Sequence, residues 1–252
     1  MDNVTYLDYL LPFVFFAVAF IYSSVGMGGG SSYTAIMVIA SMSILVIPIL
    51  SLSLNLLVST IGSYNYLRNK HGKLRIILPF LLSAIPFAYL GGALQLEKEL
   101  FLWVLLVSLI VVAARIYLWQ DTSLKLHLNN KQKIVVSVIA GSILGLIAGI
   151  AGIGGAVYLV PLIIMLNIGT QKEAAAAGVV FVWVVSLVGL ISRLQYNSIN
   201  LAEYIPLIVA VIIGGFLGSY IGAFKFSPKT MEKTLGIVIL LAIFFLIKKI
   251  VF

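Results

Sequence analysis

Residues 26–32 read GMGGGSS and stand inside a stretch that is otherwise apolar, with LPFVFFAVAFIYSSV at 11–25 before them and YTAIMVIA at 33–40 after. Four glycines in five residues break a helix, because glycine loses the most backbone freedom on ordering. Flanks of this kind belong in hydrocarbon, where only helices and closed barrels satisfy every backbone N–H and C=O. Irregular backbone at that depth is tolerated only where protein buries it or where it lines a watered cavity. The cluster therefore calls for a membrane helix that is broken at a protected place.

The rest of the chain agrees. Apolar stretches run at 9–25, 31–42, 43–67, 74–94, 99–119, 134–151, 156–167, 174–192, 204–224 and 234–250. A full span needs roughly 20 residues, and most of these qualify or nearly so. Charged residues make up 10% of the 252, against about 25% in soluble domains, and they sit at segment edges. This is an all-α polytopic membrane protein, expected to be a multi-pass protein of the cell membrane with lipid as a partner. MDNVTYLDYL at the N-terminus has no Lys or Arg, so the basic region of a cleavable signal peptide is missing.

The net charge of +8 is divided among short loops such as RNKHGKLR (68–75), which marks a cytoplasmic loop. No soluble module accompanies it, so nucleic acid is not an expected partner. The chain has no cysteine, and its two histidines, His71 and His127, lie in polar loops. Disulfides and thiolate sites are excluded on that ground, and neither a transition-metal centre nor a cofactor is expected.

Two apolar stretches, 31–42 and 156–167, are too short to span, and each follows a glycine cluster. Sliding the chain by 126 residues places Gly26, Gly28 and Gly29 on Gly152, Gly154 and Gly155; a shift of 127 later places Pro79 on Pro206 and Gly91 on Gly218. The chain therefore reads as two homologous transmembrane repeats, 1–120 and 131–252, about a polar linker, 121–130, the core of QDTSLKLHLNNKQK (120–133). Gly-interrupted segments at matching positions of two repeats are a mark of secondary transporters. The breaks, GMGGGSS and GIAGIGGA (149–156), are expected to meet near the midplane, each opening a half-helix. Half-helix N-termini offer free N–H groups and the positive end of a dipole, which suits an anion. Candidate substrate-binding residues are Gly28, Gly29, Gly30, Ser31, Ser32, Gly152, Gly154 and Gly155. The plainer alternative is that these glycines only let helices pack closely.

Two arrangements fit. If each glycine segment spans, the repeats are parallel; if each is a re-entrant hairpin, each half crosses three times and the repeats are inverted. The distribution of Lys and Arg favours inversion by one residue.

In combination these motifs resemble the TauE/SafE family of membrane transporters, also called the sulfite exporter or toluene-sulfonate uptake permease family. The resemblance covers essentially the whole chain. It rests on GMGGGSS, on GIAGIGGAVYLVPLII (149–164) with TQKEAAAAGVV (170–180), on LPFLLSAIPFAYLGGAL (78–94), and on GGFLGSYIGAFKFSPKTMEKTLGIVILLAIFFLI (214–247). It implies about eight hydrophobic segments, movement of a small sulfur-containing anion such as sulfite, sulfoacetate or a related sulfonate, and protons as a further candidate partner. SLSLNLLVST departs from the small-residue pattern that AAAAGVV keeps in the second half.

Ser51, Asn55, Ser59 and Gly62 share one helical face. Asn55, mid-segment, either bonds another helix or faces the substrate. At an offset of 126 Phe181 replaces it, with Ser186, Gly189 and Arg193 as the second stripe. Gly141, Gly145 and Gly149 form a packing ladder, as do Gly214, Gly218 and Gly222. Arg68 and Arg193 close the two stripes and are assigned to vestibules that attract anions. The carboxylates all lie at segment ends, so no intramembrane relay is evident; a proton travels on the substrate, or the anion diffuses by facilitation. No nucleophile with a base lies at membrane depth, which argues against an enzyme. A scaffold or assembly subunit without transport activity, a carrier of a non-sulfur anion, and an oligomer all remain open.

Overall fold

The structure, a computed structural model, describes residues 6–24, 27–68, 72–118, 126, 128–225 and 228–251. Gly26, Lys70, His71, His127 and most of the linker lie outside the described residues, as do the contacts of Gly222, Lys225, Lys229 and Lys233. The described residues form ten α-helices: α1 (Tyr6–Ser24), α2 (Gly30–Ile39), α3 (Val46–Arg68), α4 (Leu74–Ala93), α5 (Lys98–Leu118), α6 (Asn130–Ala151), α7 (Ala156–Met165), α8 (Gln171–Leu194), α9 (Ile205–Lys225) and α10 (Pro228–Val251). A 3₁₀ turn, Leu201–Tyr204, leads into α9. Two helices begin on sequence-encoded capping boxes, Asn129 with Gln132 at α6 and Thr170 with Glu173 at α8, which satisfy N–H groups that a helix start leaves open.

Among the described residues six stretches are long and apolar enough to cross a membrane: Val46–Tyr64, Leu74–Ala93, Lys98–Leu118, Asn130–Ala151, Gln171–Leu194 and Leu201–Tyr220. Leu10–Ser24, Gly30–Ile39 and Ala156–Met165 are apolar but shorter. The chain is a multi-pass, all-α membrane protein. The two half-helices are ten residues each, α2 and α7, shorter than the apolar stretches that announce them. Both end early because the chain leaves the helix through a left-handed non-glycine residue, Ser41 (φ 61°) and Asn167 (φ 50°). These two lie 126 apart, as do Gly29 and Gly155.

Glycine sets the closest packing. Along α6, Cβ positions at Gly141, Gly145 and Gly149 fall on the backbone of Phe80, Ala84 and Ala88 of α4, while Gly91 of α4 falls on Leu146 O. The register rises together, so α4 and α6 run in the same direction. Helices α9 and α1 pack in the same manner, with Gly214 of α9 on Phe16 O of α1 and Gly218 on Phe20 O. Leucine at Gly145 or Gly218 has no side chain to displace, only backbone, and overpacking of this kind costs about 1–3 kcal/mol. Gly145→Leu and Gly218→Leu should therefore lower the thermal midpoint in detergent by several degrees. Gly62→Ala meets only the Val179 side chain, at 3.1 Å, and should be milder.

The remaining contacts fix the other directions. Lys73 pairs with Glu173 at the starts of α4 and α8, and Ser192 Oγ donates to Tyr89 O (2.7 Å) at their ends, so these helices run together. The helices α3 and α8 cross in opposite directions: Leu52 lies against Gly189, and Trp183 Nε1 donates to Thr60 Oγ1 at 3.0 Å. In α6 and α7 the chain doubles back, and Lys133 Nζ at the start of α6 reaches Asn167 O beyond the end of α7 (3.4 Å). The hairpin α1–α2 closes through Phe15 stacked on Tyr33, centroids 5.2 Å apart. Phe15 on Tyr33 and Tyr22 beside Ser31 set α2 against α1, and Asn55 beside Gly30 with Ser51 beside Thr34 sets α3 against α2; α1 thus runs with α3, and α1 and α6 point in opposite directions.

Candidate functional site

The two hairpin turns meet where α3 crosses α8. Gly29, the N-cap of α2, and Gly155, the N-cap of α7, are left-handed at φ 89° and 75°, a conformation that glycine alone adopts without penalty. Gly28 and Gly154 both lie against Asn55 of α3 and Val182 of α8. Asn55 is the tenth residue of the 23 in α3 and Val182 the twelfth of the 24 in α8, so the meeting point is at mid-length of both helices. A Cβ on Gly30 would fall on Asn55 Nδ2 and lie 2.5 Å from Gly152 O. The two turns are in direct contact there.

Hydrogen bonds weld this junction. Helix α6 ends in the left-handed Gly152, whose N–H returns to Ala148 O (2.9 Å). Its last carbonyls have no partner within the helix, and each finds one elsewhere. Arg193 donates from Nε to Gly149 O (3.1 Å) and from Nη2 to Ile150 O (2.5 Å). Thr34 Oγ1 lies 2.9 Å from Ala151 O. Asn55 Nδ2 and Ser51 Oγ each lie 2.9 Å from Gly152 O. Three helices thus close the end of a fourth, and all of these side chains are buried. In buried surroundings such bonds matter chiefly because leaving a carbonyl unpaired is costly.

The expected site residues fall into four groups. Gly28, Gly30, Gly152 and Gly154 surround Asn55. Gly29 lies beneath the Tyr33 phenol and Gly155 against Phe181, each ring 2.8–2.9 Å from where a Cβ would stand. Ser31 and Ser32 cap nothing; both hydroxyls lie 2.8 Å from Tyr22 Oη, and α2 has no side-chain cap. Arg68 is exposed at the end of α3 and is not brought to the junction. The vestibule reading of Arg193 is corrected: it is 3% exposed and its guanidinium seals α6, because the carbonyls there offer a planar donor fork two acceptors. Val182, the neighbour of Phe181 in α8, is the residue that faces Gly28 and Gly154 together with Asn55.

Tyr22, Tyr33 and Thr34 belong to the site without having been singled out. For Tyr33 a signal existed: a helical side chain leans toward the N-terminus, so the fourth residue after an N-cap glycine covers it.

A bundle of spanning helices with two hairpins broken at glycine, touching at mid-length, is the build of a membrane transport protein. The family model described as sulfite exporter TauE/SafE matches residues 11–246, and the chain belongs to that family of membrane transporters. It is also similar to the probable membrane transporter protein y4hK of Sinorhizobium fredii (strain NBRC 101917 / NGR234), at 32% identity over 210 residues, 81% of this chain and 84% of that one. No solved structure matches the chain.

Proposed function

We propose that the protein moves a small sulfur-containing oxyanion, such as sulfite, sulfoacetate or a related sulfonate, through a site at the junction of the two glycine turns near mid-membrane. The observation that carries this reading is the pair of left-handed glycines, Gly29 and Gly155, each opening a short helix toward the α3–α8 crossing. Within α2 the first N–H groups bonded to Gly29 O are those of Ser32 and Tyr33; within α7, those of Tyr158 and Leu159 to Gly155 O. The preceding N–H groups, of Gly30 and Ser31 and of Ala156 and Val157, are the open ends that favour an anion. On this reading the halves 1–120 and 131–252 are inverted repeats, which the opposed directions of α1 and α6 support, and the junction is their shared centre. Arg68, exposed at the end of α3, attracts anions toward it.

The test is uptake of labelled sulfite into proteoliposomes. Valine at position 29 or 155 must hold a left-handed φ and also meets Tyr33 or Phe181. Gly29→Val and Gly155→Val should each lower uptake by at least about tenfold, one part in ten of transition-state population being about 1.4 kcal/mol, while the protein still inserts. Arg68→Gln should only weaken apparent affinity, and only at low salt. Normal uptake by both valine variants would overturn the site; no uptake of any oxyanion by inserted wild-type protein would favour a scaffold role.

A further inference from the structure

The two turns are chemically unequal. Around the second, Gly155 lies against Phe181 and Leu144, and apolar Ala156 and Val157 follow. Around the first stand Tyr22, Ser31, Ser32 and Tyr33. Two polar atoms there are buried without a partner, Tyr33 Oη and Asn55 Oδ1, and both residues are 0% exposed. Tyr33 Oη lies 2.8 Å from the Cβ position of Gly29, and Asn55 Oδ1 2.7 Å from that of Gly28.

The orientation of the Asn55 amide follows from its surroundings. Its Nδ2 donates to Gly152 O at 2.9 Å; the flipped amide would set oxygen against that carbonyl, with no hydrogen between them. Oδ1 is therefore held toward Gly28 as an acceptor with no donor. The Tyr33 hydroxyl is the converse, a donor with nothing to receive its hydrogen. The glycines they rest on, Gly28 and Gly29, are consecutive, so both atoms belong to this one turn. A fully deprotonated oxyanion is served by the Tyr33 O–H and by the N–H groups of Gly30 and Ser31, yet it meets the Asn55 carbonyl oxygen as a like partial charge. An oxyanion that keeps one hydrogen satisfies both: its charged oxygens accept and its O–H donates.

We infer that within the junction the first turn selects a hydrogen-bearing oxyanion, with Tyr33 Oη and the α2 N–H groups donating to it and Asn55 Oδ1 accepting its acidic hydrogen. This deepens the transport reading above and rests on it. The titratable groups near this turn are the phenols of Tyr22 on α1, Tyr33 on α2 and Tyr158 on α7, and the nearest charged group on α8 is the guanidinium of Arg193, held on Gly149 O and Ile150 O of α6. None of these types ordinarily changes charge near neutral pH. Any pH dependence there belongs to the ligand.

The experiment compares sulfite, whose second proton leaves near neutral pH, with methanesulfonate, which carries the same single charge as hydrogen sulfite and no acidic hydrogen. Initial uptake is measured at equal pH on both sides of the proteoliposome membrane, from about pH 5.5 to 8.5, a range that brackets the ionisation. Sulfite uptake at subsaturating concentration should follow the hydrogen sulfite fraction, falling about tenfold per pH unit in the alkaline limb, and methanesulfonate should move at least about tenfold more slowly, as the loss of one hydrogen bond to a buried group implies. Tyr33→Phe should slow both anions without moving the sulfite pH profile. Asn55→Leu should narrow the gap between them; if that variant does not insert, the wild-type profile and the comparison of anions carry the test. Sulfite uptake that is flat or rises with pH, or methanesulfonate moving as fast as sulfite, overturns the inference and leaves the transport reading standing. Movement of neither anion overturns both.

Discussion

Alanine in place of Gly30 is expected to abolish uptake and to lower the thermal stability of the protein. The backbone at Gly30 is ordinary, so the effect is purely steric. The added methyl lands on Asn55 Nδ2 and 2.5 Å from Gly152 O, which is to say inside the hydrogen bond joining the two hairpin turns. Overpacking and the loss of that buried bond together cost about 2–5 kcal/mol, enough for a rate loss well beyond tenfold if the junction must keep its shape. Uptake per inserted molecule and the melting midpoint in detergent measure the two effects. Asn55→Ser combined with Gly30→Ala removes the clash with the amide but not the one with Gly152 O, so it should recover stability only in part and leave uptake impaired. Wild-type uptake by Gly30→Ala alone would mean that the turns separate during the working cycle and that their contact is incidental.

The second large effect concerns Arg193. Removing its side chain leaves Gly149 O and Ile150 O without partners in a buried setting, at about 1–3 kcal/mol each, partly offset by release of a buried charge. Arg193→Leu should be the least stable variant by thermal unfolding. Arg193→Lys should fall between it and the wild type, because an ammonium lacks the planar fork that serves two carbonyls at once. A leucine variant as stable as the wild type would show that desolvation cancels the two bonds, and that Thr34, Ser51 and Asn55 suffice to close α6.

Glycine made much of this architecture legible in the sequence. A break in an apolar run has few physical meanings, and Gly29 and Gly155 show their left-handed backbone in their identity. The 126 offset could be read because both turns need the same residues. Its companions could not: Ser41 and Asn167 take the same left-handed conformation with unrelated side chains. Asn55 admitted two readings, and the geometry divides them atom by atom, Nδ2 to a neighbouring helix and Oδ1 to no protein group. Arg193 misled because a charge at a segment end ordinarily means solvent, whereas a long stem lets the guanidinium reach inward. Ser31 and Ser32 looked like ligands by position; only the fold reveals that Tyr22 engages both.

The cross-pairing of helices, α1 with α9 and α4 with α6, has a consequence for how the chain is made. When α1 leaves the ribosome its glycine-bearing partner is still about 180 residues away, and at about 5–20 residues per second that is a wait of roughly 10–40 s. Meanwhile the broken end of α1, with Ser23 lacking the Gly215 carbonyl it finally bonds at 2.7 Å, must be sheltered by lipid, by the insertion machinery or by α3. Its half-helix α2 waits as well, since Lys249, which holds Val38 O and Ser41 Oγ, follows the end of α2 by about 210 residues. The first half is thus threaded into the membrane long before it acquires its shape. A helix made much later, α10, fastens α2.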